Sequence, residues 1–524
     1  MRTLPRAAPL RRLWSETWSV DGVLLALLVL VLVAAFPNEI GNPNAKSRLF
    51  LTLSIVERGS LSIGDYAPVT VDRSMRDGLA FSDKAPGMAI LALPTVAFLH
   101  GRLARQPDGA PCSGRACWFV ADSSAQGFSP LRNYVLLQHA AILTAAPLIM
   151  LAVALFRALL VVLYDDRRAA TLAAIGLVLA TPFGMWAATF YEHSLAGALL
   201  TLGLVAAHAT TRLAAPRPPG WLAGLLVALP LALLVPVSYP AALAGALIAL
   251  YALWGARDAD GRWLVQAAGT ALAVGAVVAI PLLAYNSAAF GGPLRISYGS
   301  VVGFEGMHRG LFGITLPDPA VVWQLLVPQY RGLLWVAPVA LLYPVGLVLV
   351  LAHRPDLRAL ALLSLAILLY YLALNGGYFY WEGGYSLGPR HLTPTLPFLM
   401  LTVAAIPAIW GWRGTVVLAV PLVLGAVVII GALATRHVTV PDDNFAPIVT
   451  ILLPDLLSGR LTTGTVTAQA LGARTSFVLA ALLILAVLVP LLVRNARPVR
   501  DEDEVLRRAP GAARRHVAAG RPAG

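Results

Sequence analysis

The residues best suited to acid–base chemistry lie in short polar segments between long apolar stretches. Glu39 follows the first apolar stretch. Asp83 and Lys84 lie in the segment SDKAPGM, and Glu192 and His193 lie in the segment FYEHS. A carboxylate or an imidazole can take up or donate a proton, and an ammonium group at the start of a short helix can bind a phosphate. We therefore predict four catalytic residues, Glu39, Asp83, Glu192 and His193.

Aromatic and cationic residues in other segments could bind a sugar or a phosphate. The segment 378–391 reads YFYWEGGYSLGPRH and gathers aromatic side chains around Glu382, Arg390 and His391. The guanidinium of Arg390 could hold a phosphate through two parallel hydrogen bonds. The predicted substrate-binding residues are Arg48, Lys84, Tyr191, Asn286, Tyr380, Trp381, Glu382, Arg390 and His391.

Each of these features also has a purely structural interpretation. Asp83 could cap the short helix that follows it while Lys84 extends towards lipid headgroups. His193 could be a solvated or capping group at a helix start, and Glu39 could be a solvated loop carboxylate. Aromatic residues are also common as belts at membrane interfaces.

The composition of the chain is typical of a membrane protein that crosses the bilayer many times. Of its 524 residues, 58% are hydrophobic and 12% are charged, and the mean hydropathy is +0.75. Repeated apolar runs of about 17–25 residues are long enough to cross a membrane as helices. We predict about twelve spans, at 20–36, 134–163, 169–188, 194–211, 220–237, 239–255, 263–284, 332–352, 359–375, 392–410, 414–434 and 475–493.

The basic residues predict the orientation of these spans. Arginines in the short loops fall on one side, shared with the basic residues 1–19, and this side is the cytoplasm by the positive-inside rule. Both chain ends are then cytoplasmic, in the cytoplasmic membrane of a bacterium, and the net charge of +13 does not indicate nucleic-acid binding. The apolar segment 87–101 is short and contains Pro94, so we expect a juxtamembrane helix there rather than a span.

The same topology defines the expected domains. A transmembrane domain at 20–434 includes a long outer loop at 37–133, in which residues 49–56 have helical spacing and predict a surface helix ending at Gly59. An outer loop at 435–474, with an interfacial helix at 445–457, precedes the last span, and residues 494–524 form a disordered cytoplasmic tail.

The two cysteines of the chain lie five positions apart in the first outer loop. Outside the cytoplasm Cys112 and Cys117 can form a disulfide, and two free thiols are the alternative. Two cysteines without a neighbouring histidine are too few for a zinc site.

The order of these motifs resembles the GT-C superfamily of polyprenyl-phosphate-dependent membrane glycosyltransferases. It is most similar to the branch of protein O-mannosyltransferases and aminoarabinose transferases. A helix ending Arg-Gly-Ser-Leu leads to DKAPG, which is similar to the Lys-Pro-Pro motif of that branch. A short second outer loop follows a span ending Ala-Thr-Pro, and Gly-Pro-Arg later precedes Pro-x-Leu-Pro-Phe. The likeness covers most of residues 20–410.

The resemblance implies an all-α, GT-C-like bundle of about twelve transmembrane helices, with juxtamembrane helices in the long first outer loop. It also implies an inverting transfer of a sugar from a polyprenyl-phosphate donor to an envelope glycan, lipid or protein, without a metal or other cofactor. An outer-face carboxylate would act as the base, and Lys84 and Arg390, with Arg48 as a third cation, would surround the leaving phosphate.

Relatives usually carry Asp, often Asp-Glu, just after the first span, and often Asp in the second outer loop. This chain has Asn38-Glu39 and Glu192-His193 at these places. Glu39 is therefore the first candidate for the base, followed by Asp83 and then Glu192. The alternative function is a non-catalytic or transporting protein for lipid-linked glycans. Spans almost free of charge and without repeats favour the enzyme.

Overall fold

Long apolar helices dominate the structure, a computed structural model that describes residues 8–36, 42–100, 136, 138–435, 438–462 and 465–496. It is 75% helical, so the prediction of an all-α polytopic membrane protein is confirmed. Within the described residues seven helices are long and apolar enough to cross a membrane: Gln138–Tyr164, His193–Leu213, Gly220–Val237, Gly261–Phe290, Pro355–Gly376, Ala405–Thr435 and Ala473–Ala496. The bent pair Pro9–Thr17 and Val20–Ala35 forms an eighth if it is one span.

The individual elements follow the chain from the amino-terminal end. The first half contains α1 (Ala8–Thr17), α2 (Val20–Ala35), α3 (Pro43–Arg58), β1 (Arg73–Arg76), β2 (Leu79–Ser82), α4 (Gly87–Leu91), α5 (Leu93–His100), α6 (Ala146–Tyr164), α7 (Arg167–Leu179), α8 (Pro182–Ala187), α9 (His193–His208), α10 (Gly220–Val237) and α11 (Ala241–Gly255). The second half contains α12 (Gly261–Phe290), α13 (Pro319–Leu326), α14 (Leu333–Val336), α15 (Tyr343–His353), α16 (Arg358–Gly376), α17 (Leu396–Val403), α18 (Ala405–Thr435), α19 (Leu453–Leu457), α20 (Val466–Leu471) and α21 (Ala473–Ala496).

Some of the twelve predicted spans correspond to shorter or interrupted helices. The predicted span 169–188 divides into α7 and α8, because Thr181 accepts a hydrogen bond from the Phe183 amide and Pro182 begins a new helix. Helix α11 has only 15 residues, and α18 contains a break at Gly411, whose φ of 61° is readily adopted by glycine. That break falls between the predicted spans 392–410 and 414–434. The number of crossings beyond seven or eight stays a prediction.

Helix α9 lies at the centre of the bundle and α12 lies at its edge. In the most apolar window of each helix, 89% of residues are buried for α9 and 6% for α12. A helix that is apolar all round and largely uncovered by protein is suited to contact with lipid. Two glycines allow α10 to approach α12 closely, since a Cβ at Gly220 or Gly224 would collide with the backbone of α12.

A buried ion cluster ties the amino-terminal helices to α6, α7 and α21. The Arg157 guanidinium, within α6, donates to Glu16 and Asp21, at 2.9 Å each. Arg167 pairs with Glu16 at 2.6 Å and Arg494 pairs with Asp21 at 2.8 Å. Arg157 is fully buried, so these carboxylates offset the large cost of placing its charge inside the protein.

Helix α3 ends at Gly59 as predicted, but it begins at Pro43, before the predicted helical residues 49–56. Asn42 caps its start, and Gly59, with a φ of 63°, ends it. Leu49, Phe50 and Leu53 are buried, and the helix packs against α4, α5 and β2. The protein therefore covers apolar residues on more than one face of α3, and the expectation that this helix lies along the membrane stays a prediction.

A β-hairpin, which the sequence analysis did not predict, follows α3. Strands β1 and β2 are antiparallel, with Arg73 opposite Ser82. Asp77 and Gly78 form the two-residue turn, both with positive φ, as in the turns that favour Asp-Gly. The register brings the residues just before β1 close to those just after β2. The short helices α4 and α5 come next, where the juxtamembrane helix 87–101 was expected.

The described part of the later outer loop, residues 438–462, lies beside the segment 378–391. The Ser386 and Leu387 amides donate to the carbonyls of Val440 and Val438, at 3.1 and 2.8 Å. The predicted interfacial helix 445–457 is observed as Ile448–Leu452 followed by α19. Both loops therefore contribute to the same face of the molecule.

Candidate functional site

A cavity of about 340 Å³ lies where the hairpin, the start of α9 and the later loops meet. Residues as distant in the chain as Asn42 and Asp442 contribute to its wall. The predicted site residues that line it are Asp83, Lys84, Glu192, His193, Tyr380, Arg390 and His391.

The hairpin places Lys84 between two carboxylates. Its Nζ lies 3.0 Å from Asp72 Oδ2 and 2.8 Å from Asp83 Oδ2. Ser47 donates to the Asp83 carboxylate at 3.3 Å, and Ser297 donates to the Asp83 carbonyl at 2.8 Å. Helix α4 has no side-chain cap, and Lys84 is held inside the site. The structural interpretation, in which Asp83 caps the helix and Lys84 reaches the headgroups, is therefore wrong.

The charges in this triad influence one another strongly. Burial raises the pKa of Asp83. The positive charge of Lys84 lowers this pKa and the negative charge of Asp72 raises it, and the resulting pKa is about 6. Burial lowers the pKa of Lys84, but Asp72 and Asp83 outweigh it, so the pKa of Lys84 lies above its ordinary value. At neutral pH the ammonium group is charged, and Asp83 is a carboxylate whose pKa is close to the working range of a general base.

Glu192 is held by Arg48, which forms an ion pair with it from α3. Burial would raise the pKa of Glu192, but Arg48, and then His193, lower it to about 2. The Arg48 side chain is only 1% exposed and is not part of the cavity wall. The expectation that Arg48 is a third phosphate-binding cation does not fit this position, because Glu192 stands between it and the cavity.

Arg390 is the cationic group of the cavity without an acidic partner in the described part of the chain. Its side chain is 9% exposed, its Nε lies 3.4 Å from His391 Nε2, and its guanidinium lies 5.4 Å from the Tyr191 ring centre. No described carboxylate approaches within ion-pair distance. A nearly buried cation with unused donors is suited to binding an anion.

Two imidazoles stand next to each other on the cavity wall. The ring centres of His193 and His391 lie 5.5 Å apart, and the buried atoms His193 Nε2 and His391 Nδ1 have no hydrogen-bond partner. Burial, together with Arg390 and His193, lowers the pKa of His391 well below its ordinary value. Leaving buried polar atoms unpaired costs about 1–3 kcal/mol each, so this pair of rings is held in place at an energetic cost.

Aromatic and apolar side chains form the rest of the wall. Phe304 and Tyr380 meet edge to face, with ring centres 5.6 Å apart. Sequence analysis did not include several lining residues among the site residues: Asn42, Pro43, Asn44, Val71, Asp72, Tyr298, Val301, Phe304, Met307, Tyr378, Phe379, Gly383, Tyr385 and Asp442. A sequence signal existed for Asp72, because the Asp-Gly turn predicts a hairpin and a hairpin brings Asp72 next to Lys84.

Other predicted residues support the site without lining it. The Glu382 carbonyl accepts from Arg331 at 2.9 Å, Trp381 packs edge-on against Tyr330, and Asn286 donates to the Pro293 carbonyl at 3.1 Å. These contacts hold neighbouring loops together, and the predicted contact of the three residues with substrate stays a prediction.

Tyr191 is buried between Arg48 and Arg390. Glu39, Cys112 and Cys117 lie outside the described residues. The described residues include no group of three or more His, Cys, Asp or Glu that could hold a metal ion.

Comparison with known proteins gives structural likenesses only. No family model matches the sequence, and no curated protein matches it. ArnT from Cupriavidus metallidurans is similar in its apo state (TM-score 0.47) and bound to undecaprenyl phosphate (TM-score 0.48), each at 14% identity over 92% of this chain and 78% of that one. The apo oligosaccharyltransferase of Archaeoglobus fulgidus is similar at a TM-score of 0.42 and 13% identity, over 88% of this chain and 56% of that one. Both proteins are members of the GT-C superfamily. At TM-scores below 0.5 these likenesses carry no conclusion about activity, which is inferred below from the cavity itself.

Proposed function

We propose that this protein is a membrane glycosyltransferase that moves a sugar from a polyprenyl-phosphate donor to a cell-envelope acceptor. The observation that carries the proposal is the nearly buried guanidinium of Arg390, which has no described acidic partner and shares a cavity with carboxylates and imidazoles. This combination offers a cation for the donor phosphate together with groups that can act as a base.

The donor phosphate would bind at Arg390, with Lys84 as a second contact. An ammonium group has three N–H donors, and Asp72 and Asp83 use two of those on Lys84. The remaining donor can reach a phosphate, but the two carboxylates already offset the charge of Lys84. Arg390 therefore supplies most of the stabilisation of the negative charge that develops on the leaving phosphate.

The sugar would lie against the imidazoles and the aromatic wall. Tyr378 and Tyr380 present ring surfaces to the cavity, and His193 and His391 line it beside them. The sugar would thus be bound by largely neutral groups, while the phosphate is bound by cations.

Among the described carboxylates, Asp83 is the best candidate for the general base. Its pKa of about 6 lets it accept a proton near neutral pH, whereas Glu192, with a pKa of about 2, is a much weaker base. In the proposed step Asp83 takes the proton of the acceptor hydroxyl. The acceptor oxygen bonds to the anomeric carbon with inversion as the bond to the phosphate oxygen breaks. Glu39 remains a second candidate.

The cavity would face the extracytoplasmic side of a bacterial cytoplasmic membrane. Arg167 and Arg494 lie at the ends of α7 and α21 that are remote from the loops around the cavity, which fits basic residues on the cytoplasmic side. Both chain ends would then be cytoplasmic. The donor phosphate and the acceptor would meet on the outer face.

Mass spectrometry of lipid-linked sugars and envelope glycans would test the function. Cells lacking the protein should accumulate a polyprenyl-linked sugar and lose one glycan modification. Wild-type protein and the control Arg295→Gln, which changes an exposed residue outside the cavity, should restore both. Arg390→Gln and Asp83→Asn should not. An unchanged profile in the deletion strain would refute the proposal. Full restoration by Asp83→Asn but not by Arg390→Gln would exclude Asp83 as the base and leave Glu39 as the candidate.

A further inference from the structure

A second cavity lies at the opposite end of the helices from the candidate active site. It measures about 290 Å³ and opens between α7, α18 and α21. Helix α21 has 24 residues, so its two ends are about 36 Å apart at 1.5 Å per residue. The residues that line this interhelical cavity are Arg168, Thr171, Leu172, Thr415, Leu492, Asn495 and Ala496.

The lining of the interhelical cavity combines a cation, neutral hydrogen-bonding groups and apolar side chains. Arg168 has no ion pair or hydrogen bond with any part of the chain that the structure describes, and no acidic side chain lines the cavity. Thr171, Thr415 and Asn495 carry hydroxyl and amide groups, and Leu172 and Leu492 are apolar. An unneutralised guanidinium suits a phosphate, and the leucines suit a hydrocarbon chain.

The surrounding charges favour the same ligand. The neighbouring ion cluster contains three arginines for two carboxylates, with Arg157, Arg167 and Arg494 against Glu16 and Asp21. Arg12 and the carboxylates Asp165 and Asp166 lie at the start of α7 and bring these surrounding charges into balance. Arg168 therefore supplies the excess positive charge at this corner of the molecule.

The interhelical cavity is also connected to that cluster by hydrogen bonds. Thr171 donates to the side-chain oxygen of Asn495 at 3.3 Å, and the Asn495 amide donates to Asp21 at 3.1 Å. A ligand that orders Thr171 and Asn495 would therefore also order the junction between α2, α7 and α21.

We propose that the interhelical cavity binds the phosphate headgroup of an anionic phospholipid. Arg168 would hold the phosphate, and one acyl chain would lie along Leu172 and Leu492. The cavity lies at the ends of apolar spanning helices, which is the level at which lipid headgroups are found. This position favours a lipid over free phosphate, and the bound lipid would stabilise the junction of α7, α18 and α21.

The test measures thermal unfolding of the whole protein purified in detergent. Phosphatidylglycerol added to the micelles should raise the midpoint temperature, whereas phosphatidylcholine and inorganic phosphate at the same concentration should not. Arg168→Gln should weaken the apparent affinity for phosphatidylglycerol about fivefold, as expected for one arginine near a lipid headgroup. The control Arg262→Gln changes an exposed arginine at the start of α12 and should keep the wild-type affinity.

A second variant tests the site without removing its charge. Leu492→Trp places a large side chain in the interhelical cavity at a position that is 40% exposed, and it should also abolish the effect of phosphatidylglycerol. It decides the question if Arg168→Gln does not fold. The proposal is overturned if wild type and both variants respond equally to phosphatidylglycerol. It is equally overturned if phosphatidylcholine or inorganic phosphate raises the midpoint as much.

Discussion

The ion pair between Arg48 and Glu192 gives a sharp prediction about stability and pH. Arg48→Met keeps an unbranched, apolar side chain in the space of Arg48 but removes the guanidinium that forms an ion pair with Glu192. The Glu192 side chain is 15% exposed, so the variant leaves a carboxylate in a poorly solvated position. We expect this loss to destabilise the protein strongly.

The pKa of Glu192 gives the size of the effect. It is lowered from 4.5 to about 2, and a tenfold change in the proton equilibrium corresponds to about 1.4 kcal/mol. The ionised carboxylate therefore contributes about 3 kcal/mol of stability. That agrees with the loss of about 3–5 kcal/mol found when one partner of a buried pair is removed. In the wild type this contribution is complete above pH 4.5 and is lost as the pH falls through about 2.

The Arg48→Met variant should show the opposite pH dependence. Without Arg48, burial becomes the dominant influence and the pKa of Glu192 should rise above its ordinary value. The variant should then become more stable as the pH is lowered from 7.5 to 5, where Glu192 takes up a proton. Wild-type stability should not gain from this group over the same range.

The free energy of unfolding, measured by denaturant titration in detergent micelles at both pH values, tests this prediction. The double variant Arg48→Met with Glu192→Gln should recover much of the loss, since no buried charge remains. Arg58→Met, in the same helix, removes an exposed pair with Asp65 and should cost no more than about 1 kcal/mol. The reasoning is refuted if Arg48→Met is as stable as the wild type at pH 7.5. It is also refuted if the double variant is no more stable than Arg48→Met.

Three further changes test the site and the fold. Asp83→Asn should reduce sugar transfer at least about a hundredfold. Initial rates of the wild type should increase as the pH rises through about 6, because Asp83 loses its proton there. A wild-type rate that is independent of pH between 5 and 7 would contradict this. Arg390→Lys keeps the positive charge but replaces the planar guanidinium by an ammonium group, so binding of undecaprenyl phosphate to the purified protein should weaken about tenfold. The control Arg295→Gln should bind undecaprenyl phosphate as the wild type does. Gly87→Ala should lower the thermal midpoint, because its Cβ would lie 2.5 Å from the Pro236 carbonyl oxygen. Gly269→Ala, whose Cβ would meet nothing within 4 Å, should not lower it.

Local sequence patterns were sufficient for the fold class and for many of the residues at the site. Apolar runs such as 220–237 predict helices directly, because a chain in lipid must satisfy its own backbone hydrogen bonds. Polar residues confined to the loops stand out against that background, which is why Asp83, Lys84, Glu192 and Arg390 could be identified. The break at Gly411 was also visible, as a gap between two predicted spans.

The roles of these residues depended on contacts between distant segments, which only the tertiary structure decided. Arg48 and Lys84 are both basic residues of the first outer loop, yet one is buried behind Glu192 and the other lies on the cavity between Asp72 and Asp83. The pKa of a carboxylate depends on burial and on charges within a few ångströms, and neither follows from position in the chain. Trp381 and Tyr380 are adjacent in sequence, but only Tyr380 faces the cavity. Sequence therefore determined which chemical groups were available, whereas packing determined which were neutralised and which, like Arg390, kept the capacity to bind an anion.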